Sequence, residues 1–167
     1  MSRRRPVDEL DLGLRDRLLL ESILSGGQTG VDRAALDVAL ELGIPHGGWC
    51  PSGRRAEDGV IPEKYRMWEN ESDSYADRTR RNIIDSDGTL LLYGRRLEGG
   101  SLLTARLALS LGKPCYRVGL TGQVSYLACL DWLVQHRIRR LNIAGPRASK
   151  EPQIYAQAQR FLHLLLA

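Results

Sequence analysis

The chain has 167 residues, 43% of them apolar and 26% charged, with a formal net charge of +4. These values exclude a disordered chain and point to one domain with a core large enough to need no covalent staples. Lysine occurs only at Lys64, Lys113 and Lys150, so arginine supplies 21 of the 24 basic residues. Arginine presents a planar donor fork that suits phosphate and carboxylate, although a GC-rich genome gives the same bias. No basic stripe interleaved with aromatics is present, which argues against a nucleic-acid binder. The Arg3-Arg4-Arg5 cluster reads as a solvated tail.

The three cysteines (Cys50, Cys115, Cys129) are odd in number and show no CxxC spacing, and His46, His136 and His163 are scattered. A structural zinc site is therefore not expected, and no metal ligands are assigned. A reducing compartment fits this cysteine usage. No apolar run reaches membrane-spanning length, and the first residues lack a signal-peptide block. The expectation is a cytoplasmic protein with no membrane partner.

In chain order, Val7, Leu10, Leu14 and Leu18 have helical spacing and mark residues 1–20 as an N-terminal arm. Residues 21–167 form the main domain. Ser22-Ile23-Leu24 reads as a strand, followed by a glycine loop. A helix follows from Val31 to Leu42, stopped by Gly43 and Pro45. His46 to Pro51 reads as a short strand, 52–64 as a loop, and 73–85 as a helix. Thr89 to Tyr93 is an all-apolar strand apart from its ends, and 101–111 is a helix stopped by Gly112 and Pro114. A strand at Cys115 to Val118, a helix at 123–136, a strand at Leu141 to Ala144 and a helix at 151–166 complete the chain. Strands apolar on every residue have both faces covered. The expected fold is α/β: a single Rossmann-like doubly wound domain, its mainly parallel sheet flanked by helices.

Ligands of such sheets bind at the carboxyl ends of the strands. After the first strand come Gly26, Gly27, Gln28, Thr29 and Gly30, which give close backbone approach and a helix N-terminus suited to an anion. The same loop is also a plain βα turn. Asp32 lies in the first helical turn, where a charge–dipole contact alone is worth about 0.3–1 kcal/mol. Gly99, Gly100 and Ser101 start a second helix behind Arg95 and Arg96. Gly145, Arg147 and Ser149 follow the last strand, as anion contacts or as a capping turn in which Ser149 caps the final helix. Gly53, Arg54, Arg55, Glu57 and Asp58 lie in one loop, as a ligand clamp or as self-neutralising pairs worth roughly 0–1 kcal/mol each. The clamp reading is favoured, with Asp32, Glu57 and Asp58 as the carboxylates of the pocket. Asp85 and Asp87 read as shaping the turn into the Thr89 strand. No catalytic residue is assigned.

The motifs Ser25-Gly26-Gly27-Gln28-Thr29-Gly30-Val31-Asp32-Arg33-Ala34-Ala35-Leu36-Asp37, Gly47-Gly48-Trp49-Cys50-Pro51-Ser52-Gly53-Arg54-Arg55-Ala56-Glu57-Asp58-Gly59, Gly99-Gly100-Ser101 and Ile143-Ala144-Gly145-Pro146-Arg147-Ala148-Ser149 resemble the molybdenum-carrier family, the circularly permuted YpsA branch of the SLOG superfamily. The resemblance covers about residues 22–166. It implies a Rossmann-like fold, self-association as a dimer or tetramer, and binding of the molybdenum cofactor (molybdopterin), an anionic phosphorylated pterin. In that picture the pterin dithiolene holds the metal, without protein ligands.

The wider superfamily supplies two rivals. The "lonely guy" phosphoribohydrolases carry Pro-Gly-Gly-x-Gly-Thr-x-x-Glu with a catalytic glutamate. Aligned on Gly99-Gly100, this chain has Glu98 for the proline, Leu102 and Leu103 for Gly-Thr, and Arg106 for the glutamate. Arginine supplies no carboxylate for acid–base work, so the chain reads as a binding protein rather than a hydrolase. The other rival is a sensor of a nucleotide-derived signal.

Overall fold

The computed structural model describes residues 6–167; the Arg3-Arg4-Arg5 cluster lies outside the described residues. Helix α1 (Pro6–Arg15) leads into strand β1 (Ser22–Leu24) and helix α2 (Val31–Leu42). Short strands β2 (His46–Gly47) and β3 (Trp49–Cys50) follow, then a 3-10 turn at Ser52–Arg54 and the hairpin β4 (Arg55–Ala56) and β5 (Gly59–Val60). The chain continues through β6 (Trp68–Glu69), α3 (Tyr75–Ile84), β7 (Gly88–Tyr93), α4 (Gly99–Ser110) and β8 (Cys115–Gly119). It ends with α5 (Tyr126–Gln135), β9 (Arg140–Ala144) and α6 (Ile154–Leu166).

The five-stranded sheet has the order β2-β1-β9-β7-β8, with every pair parallel. Counted from β7 through β9 and then from β1 to β2, this is the order 2-1-3-4-5 of a doubly wound sheet. The order of winding reverses between β7 and β9, and a crevice opens at that point. The architecture is the Rossmann-like α/β domain expected from the apolar strands.

Ile23, Leu90, Leu92, Leu141 and Ile143 point into the larger core with α2, α5 and α6. Leu14 of α1 is buried in the same core. Arg15 donates from Nη1 to the Leu165 carbonyl (3.1 Å) and from Nη2 to the Leu164 carbonyl (2.8 Å), so α1 caps the exposed end of α6. Leu91, Ala105 and Ala108 are buried outside this cluster, where α4 packs on β7 and β8 and against α3.

Three local expectations are corrected. The segment His46 to Pro51 is not one strand. Gly48 breaks it with φ +128°, because its α-carbon faces the Ser25 backbone and a Cβ would stand 2.0 Å from the Ser25 carbonyl. The 52–64 loop contains a 3-10 turn and the β4–β5 hairpin. Helix α3 starts later than its polar lead suggests, because Ser74 accepts the Asp77 amide and sets the first turn. Asp87 ties its turn to the neighbouring strand: its Oδ2 accepts the Arg139 (3.0 Å) and Arg140 (2.8 Å) amides at the start of β9.

Gly48→Ala is expected to cost about 2–4 kcal/mol of unfolding free energy, from a strained φ and a backbone collision. Gly43→Ala, at φ +68° with nothing within 4 Å of the added carbon, is expected to cost about 1–2 kcal/mol. Denaturant unfolding of both variants checks the difference.

Candidate functional site

The carboxyl ends of β1 and β9 are held together by backbone contact. Gly30 (φ +79°) lies so close to the β9 loop that a Cβ there would stand 2.3 Å from the Pro146 carbonyl. The Val31 amide donates to that same carbonyl at 3.2 Å. Gly145 is pressed equally hard against the Leu92 carbonyl of β7, at 2.2 Å from a built Cβ. Glycine is required at both positions for this approach.

A narrow cleft of about 20 Å³ lies between these loops and α3, lined by Gly26, Asp32, Tyr75, Arg78, Thr79, Asn82, Thr104, Asn142, Ala144 and Gly145. Helix α3 buries Arg78, Thr79, Asn82 and Ile83 on one face. Arg78 is 5% exposed. Its Nη1 donates to the Gly26 carbonyl at 2.8 Å and stands 3.9 Å from Asp32 Oδ2. The Tyr75 ring covers the guanidinium, 4.9 Å from ring centroid to Cζ. Arg78 Nε is buried with no hydrogen-bond partner, an unusual state for a charged donor.

Asp32 is 6% exposed, and its Oδ2 accepts the Gln28 amide at 3.2 Å. Burial pushes its carboxyl up to about 6, against the pull of Arg78, the Gln28 amide and Arg33. Asp32 is therefore more than the surface charge–dipole contact that its helix position suggests. Asn142 and Thr89 form a buried polar pair across β9 and β7 (3.1 Å).

The glycine loop carries a second polar cluster. Gln28 Oε1 accepts the Thr29 amide (3.0 Å) and the Glu57 amide (2.9 Å). Thr29 Oγ1 accepts the Ala148 amide at 3.1 Å and donates to Glu57 Oε1 in a short hydrogen bond. Ser149 gives its amide to Glu57 Oε1 (3.0 Å) and its hydroxyl to Glu57 Oε2 (2.6 Å), and Arg147 Nε lies 3.7 Å from Oε2. The Ser149 and Thr29 hydrogen bonds hold the Glu57 carboxyl below its usual range. Asp58 is also lowered, by a two-pronged bond from Arg33 (2.9 and 3.1 Å).

Thus the structure brings Gly26, Gly27, Gln28, Thr29, Gly30, Asp32, Glu57, Asp58, Gly145, Arg147 and Ser149 into one region. Ser149 does not cap the final helix; α6 begins at Ile154 after Gln153, and the Ser149 side chain is turned to Glu57. Gly100 reaches the region from α4, where its α-carbon lies under Tyr75 and a Cβ would stand 2.7 Å from the Tyr75 hydroxyl. Gly99 opens α4 at φ +56°, and Ser101 is buried beside it.

Arg54 turns elsewhere. Its Nε donates to the Ile61 carbonyl (3.1 Å) and its Nη2 to the Pro62 and Tyr65 carbonyls (2.9 Å each), which pins the 61–65 segment. Gly53 gives its amide to Glu69 Oε1 (2.8 Å), and Arg55 is exposed on the hairpin. Arg54 also borders a wider groove of about 530 Å³ at the β2 edge, with His46, Gly47, Glu63, Tyr65, Arg66, Met67 and Trp68. That groove is larger, but it lies at the β2 edge of the sheet, away from the winding reversal between β7 and β9. Arg78, Tyr75 and Asn142 were not singled out from the sequence. The available signal was a polar stripe, Arg78 and Asn82, on the buried face of α3.

The model of the circularly permutated YpsA SLOG family matches residues 23–166. The chain belongs to that family. The crystal structure of a "Putative molybdenum carrier protein" from Syntrophus aciditrophicus SB is 45% identical, covers 90% of this chain and 97% of that one, and superposes with a TM-score of 0.87. No curated protein matches the chain. Among the described residues of this family member, no group of three or more His, Cys, Asp or Glu is arranged to hold a metal ion. None of its described helices is long and apolar enough to cross a membrane.

Asp32 makes stability depend on pH in a direction opposite to most carboxylates. Its folded value is raised above 3.8, so the unfolded chain releases this proton first and stability falls as pH rises from about 4 to 6. Asp32→Asn is therefore expected to gain on the wild type by on the order of 2–3 kcal/mol between pH 4 and pH 7. Parallel denaturant titrations at the two pH values check this.

Proposed function

We propose that this chain binds an anionic, phosphorylated small molecule across the β1, β9 and α4 loops, and that the ligand is the molybdenum cofactor, held as a carrier or store. The observation that carries the reading is Arg78, a buried guanidinium that lines the cleft at the winding reversal and whose Nε has no hydrogen-bond partner. Asp32 pairs with its Nη1 only at 3.9 Å, and a buried donor left without a hydrogen bond is costly. An anion at the cleft mouth supplies that partner, and the Thr29, Arg147 and Ser149 donors, which hold the Glu57 carboxylate in this structure, are groups of the same anion-favouring kind beside it. The residues fit the cofactor in this respect: they offer arginines, hydroxyls and backbone amides to its phosphate and pterin oxygens. When bound, the cofactor would supply oxo-metal chemistry through its own dithiolene. The Syntrophus protein is called a molybdenum carrier, which supports a molybdenum-bearing ligand.

The site residues of this reading are Gly26, Gly27, Gln28, Thr29, Gly30, Gly99, Gly100, Ser101, Gly145, Arg147 and Ser149, joined by Arg78. Gly53 and Arg54 support the neighbouring loop instead. Self-association belongs to the same reading; Val7 and Leu10, exposed and one turn apart on α1, supply an apolar patch for it. A cytoplasmic site of action fits three free thiols, one of which, Cys129, burial pushes up to about 12.

A second reading, cleavage of a nucleotide bond, is favoured by one observation. Asp32 is a buried carboxylate lining the cleft, poised near neutrality, as an acid–base group requires.

Titration of the purified protein with molybdenum cofactor, AMP and ADP-ribose, with product analysis, separates the two. Selective retention of the cofactor without cleavage is the expected result, and Arg78→Met is expected to weaken it by about tenfold or more. Release of a free base from a nucleotide, abolished in Asp32→Asn, would replace carriage with catalysis.

A further inference from the structure

Glu57 sits where an external anion belongs. Its two carboxylate oxygens collect the Thr29 hydroxyl, the Ser149 amide, the Ser149 hydroxyl and the Arg147 guanidinium. Hydroxyls, a backbone N–H and a guanidinium are the donor set that takes a tetrahedral oxyanion. Each of these donors points at the same carboxylate, and two anions cannot share them.

The segment that delivers Glu57 is weakly attached. The hairpin β4–β5 has two paired residues per strand, and Val60 is 70% exposed. Gly59, at φ +113°, has open space around its α-carbon. The buried core resumes only at Ile61. Apart from the Glu57 carboxylate, the anchors are the Glu57 amide on Gln28, the Asp58–Arg33 pair, the Ile61 amide on the Arg54 carbonyl at the hairpin base, and one small apolar side chain, Ala56, half-buried against the Leu36–Ile61 cluster. Segments with few apolar contacts open at low free energy.

We propose that Glu57 is an internal competitor for the phosphate seat formed by Thr29, Arg147 and Ser149, and that an incoming phosphate group displaces it and swings the β4–β5 hairpin outward. This rests on the anionic-ligand reading given above and adds its regulation. The hairpin then acts as a gate whose latch is the carboxylate itself. Ligand affinity is lowered by the fraction of time the seat is taken.

The test compares wild type with Glu57→Gln and Glu57→Ala in calorimetric titrations with inorganic phosphate and with AMP. Glu57→Gln keeps an acceptor for Thr29 and Ser149 but removes the competing charge. Both variants are expected to bind about tenfold more tightly, the gain from a seat that Glu57 fills nine times in ten. Tightening for AMP assigns the seat to a phosphate monoester; tightening for inorganic phosphate alone assigns it to the free ion. Hydrogen exchange over residues 55–60 is expected to quicken in the wild type when AMP is added. Equal or weaker binding by both variants, or slower exchange on adding AMP, would make Glu57 a structural strap and overturn the proposal. If the wild type still retains molybdenum cofactor through Arg78, only the competitor role falls. If neither wild type nor variants bind phosphate, AMP or cofactor, the anionic-ligand reading falls with it.

Discussion

The backbone of residues 29–31 lies against the backbone of residues 146–148, and the site follows from that contact. Gly30 has no Cβ, so the Pro146 carbonyl can approach and accept the Val31 amide. Once the two loops touch, Thr29 Oγ1 is within reach of the Ala148 amide, and Ser149 faces the Glu57 carboxylate. The sheet imposes the contact, because β1 and β9 are parallel neighbours in register from Ser22 and Arg140. Any side chain at Gly30 would force the loops apart and separate the donors that they contribute.

Charge in the site is arranged in two layers. Below, Arg78 and Asp32 are both nearly inaccessible and stand 3.9 Å apart, too far for a direct hydrogen bond. Each is held by backbone: Arg78 by the Gly26 carbonyl, Asp32 by the Gln28 amide. Above, Glu57 and Asp58 are exposed carboxylates lowered by hydroxyl, amide and guanidinium donors. The lower layer resists ionisation of its acid through burial, while the upper layer favours it through hydrogen bonds. A ligand approaching from solvent meets the ionised layer first.

The strand-end glycine loops were legible in the sequence because their signal is local. Gly26, Gly27, Gly30 and Gly145 sit beside short apolar strands, and turn chemistry at such points is a near-neighbour property. Arg78 was not legible. It stands near Arg80 and Arg81, and its burial depends on how α3 docks 52 residues from the Gly26 carbonyl it binds. Ser149 has the residue type of a helix cap, but its partner lies 92 residues away on the hairpin. Arg54 looked like Arg147 in composition; its fate was decided by a positive φ of 55° that turns it to the 61–65 carbonyls. Local grammar thus located the loops, and the long-range docking of α3 and the hairpin decided which side chains fill them.

The Arg15 clasp on the last two carbonyls but one of α6 has a consequence for how this topology is drawn. In space, β9 and α6 lead back toward α1 and β1, so the path of the chain is nearly a circuit with one seam, although the sheet itself is open with β2 and β8 at its edges. The guanidinium spans the seam without a peptide bond, satisfying helix-end carbonyls that a continuous chain would have carried onward. The two flanking helices thereby behave as the facing edges of one joint.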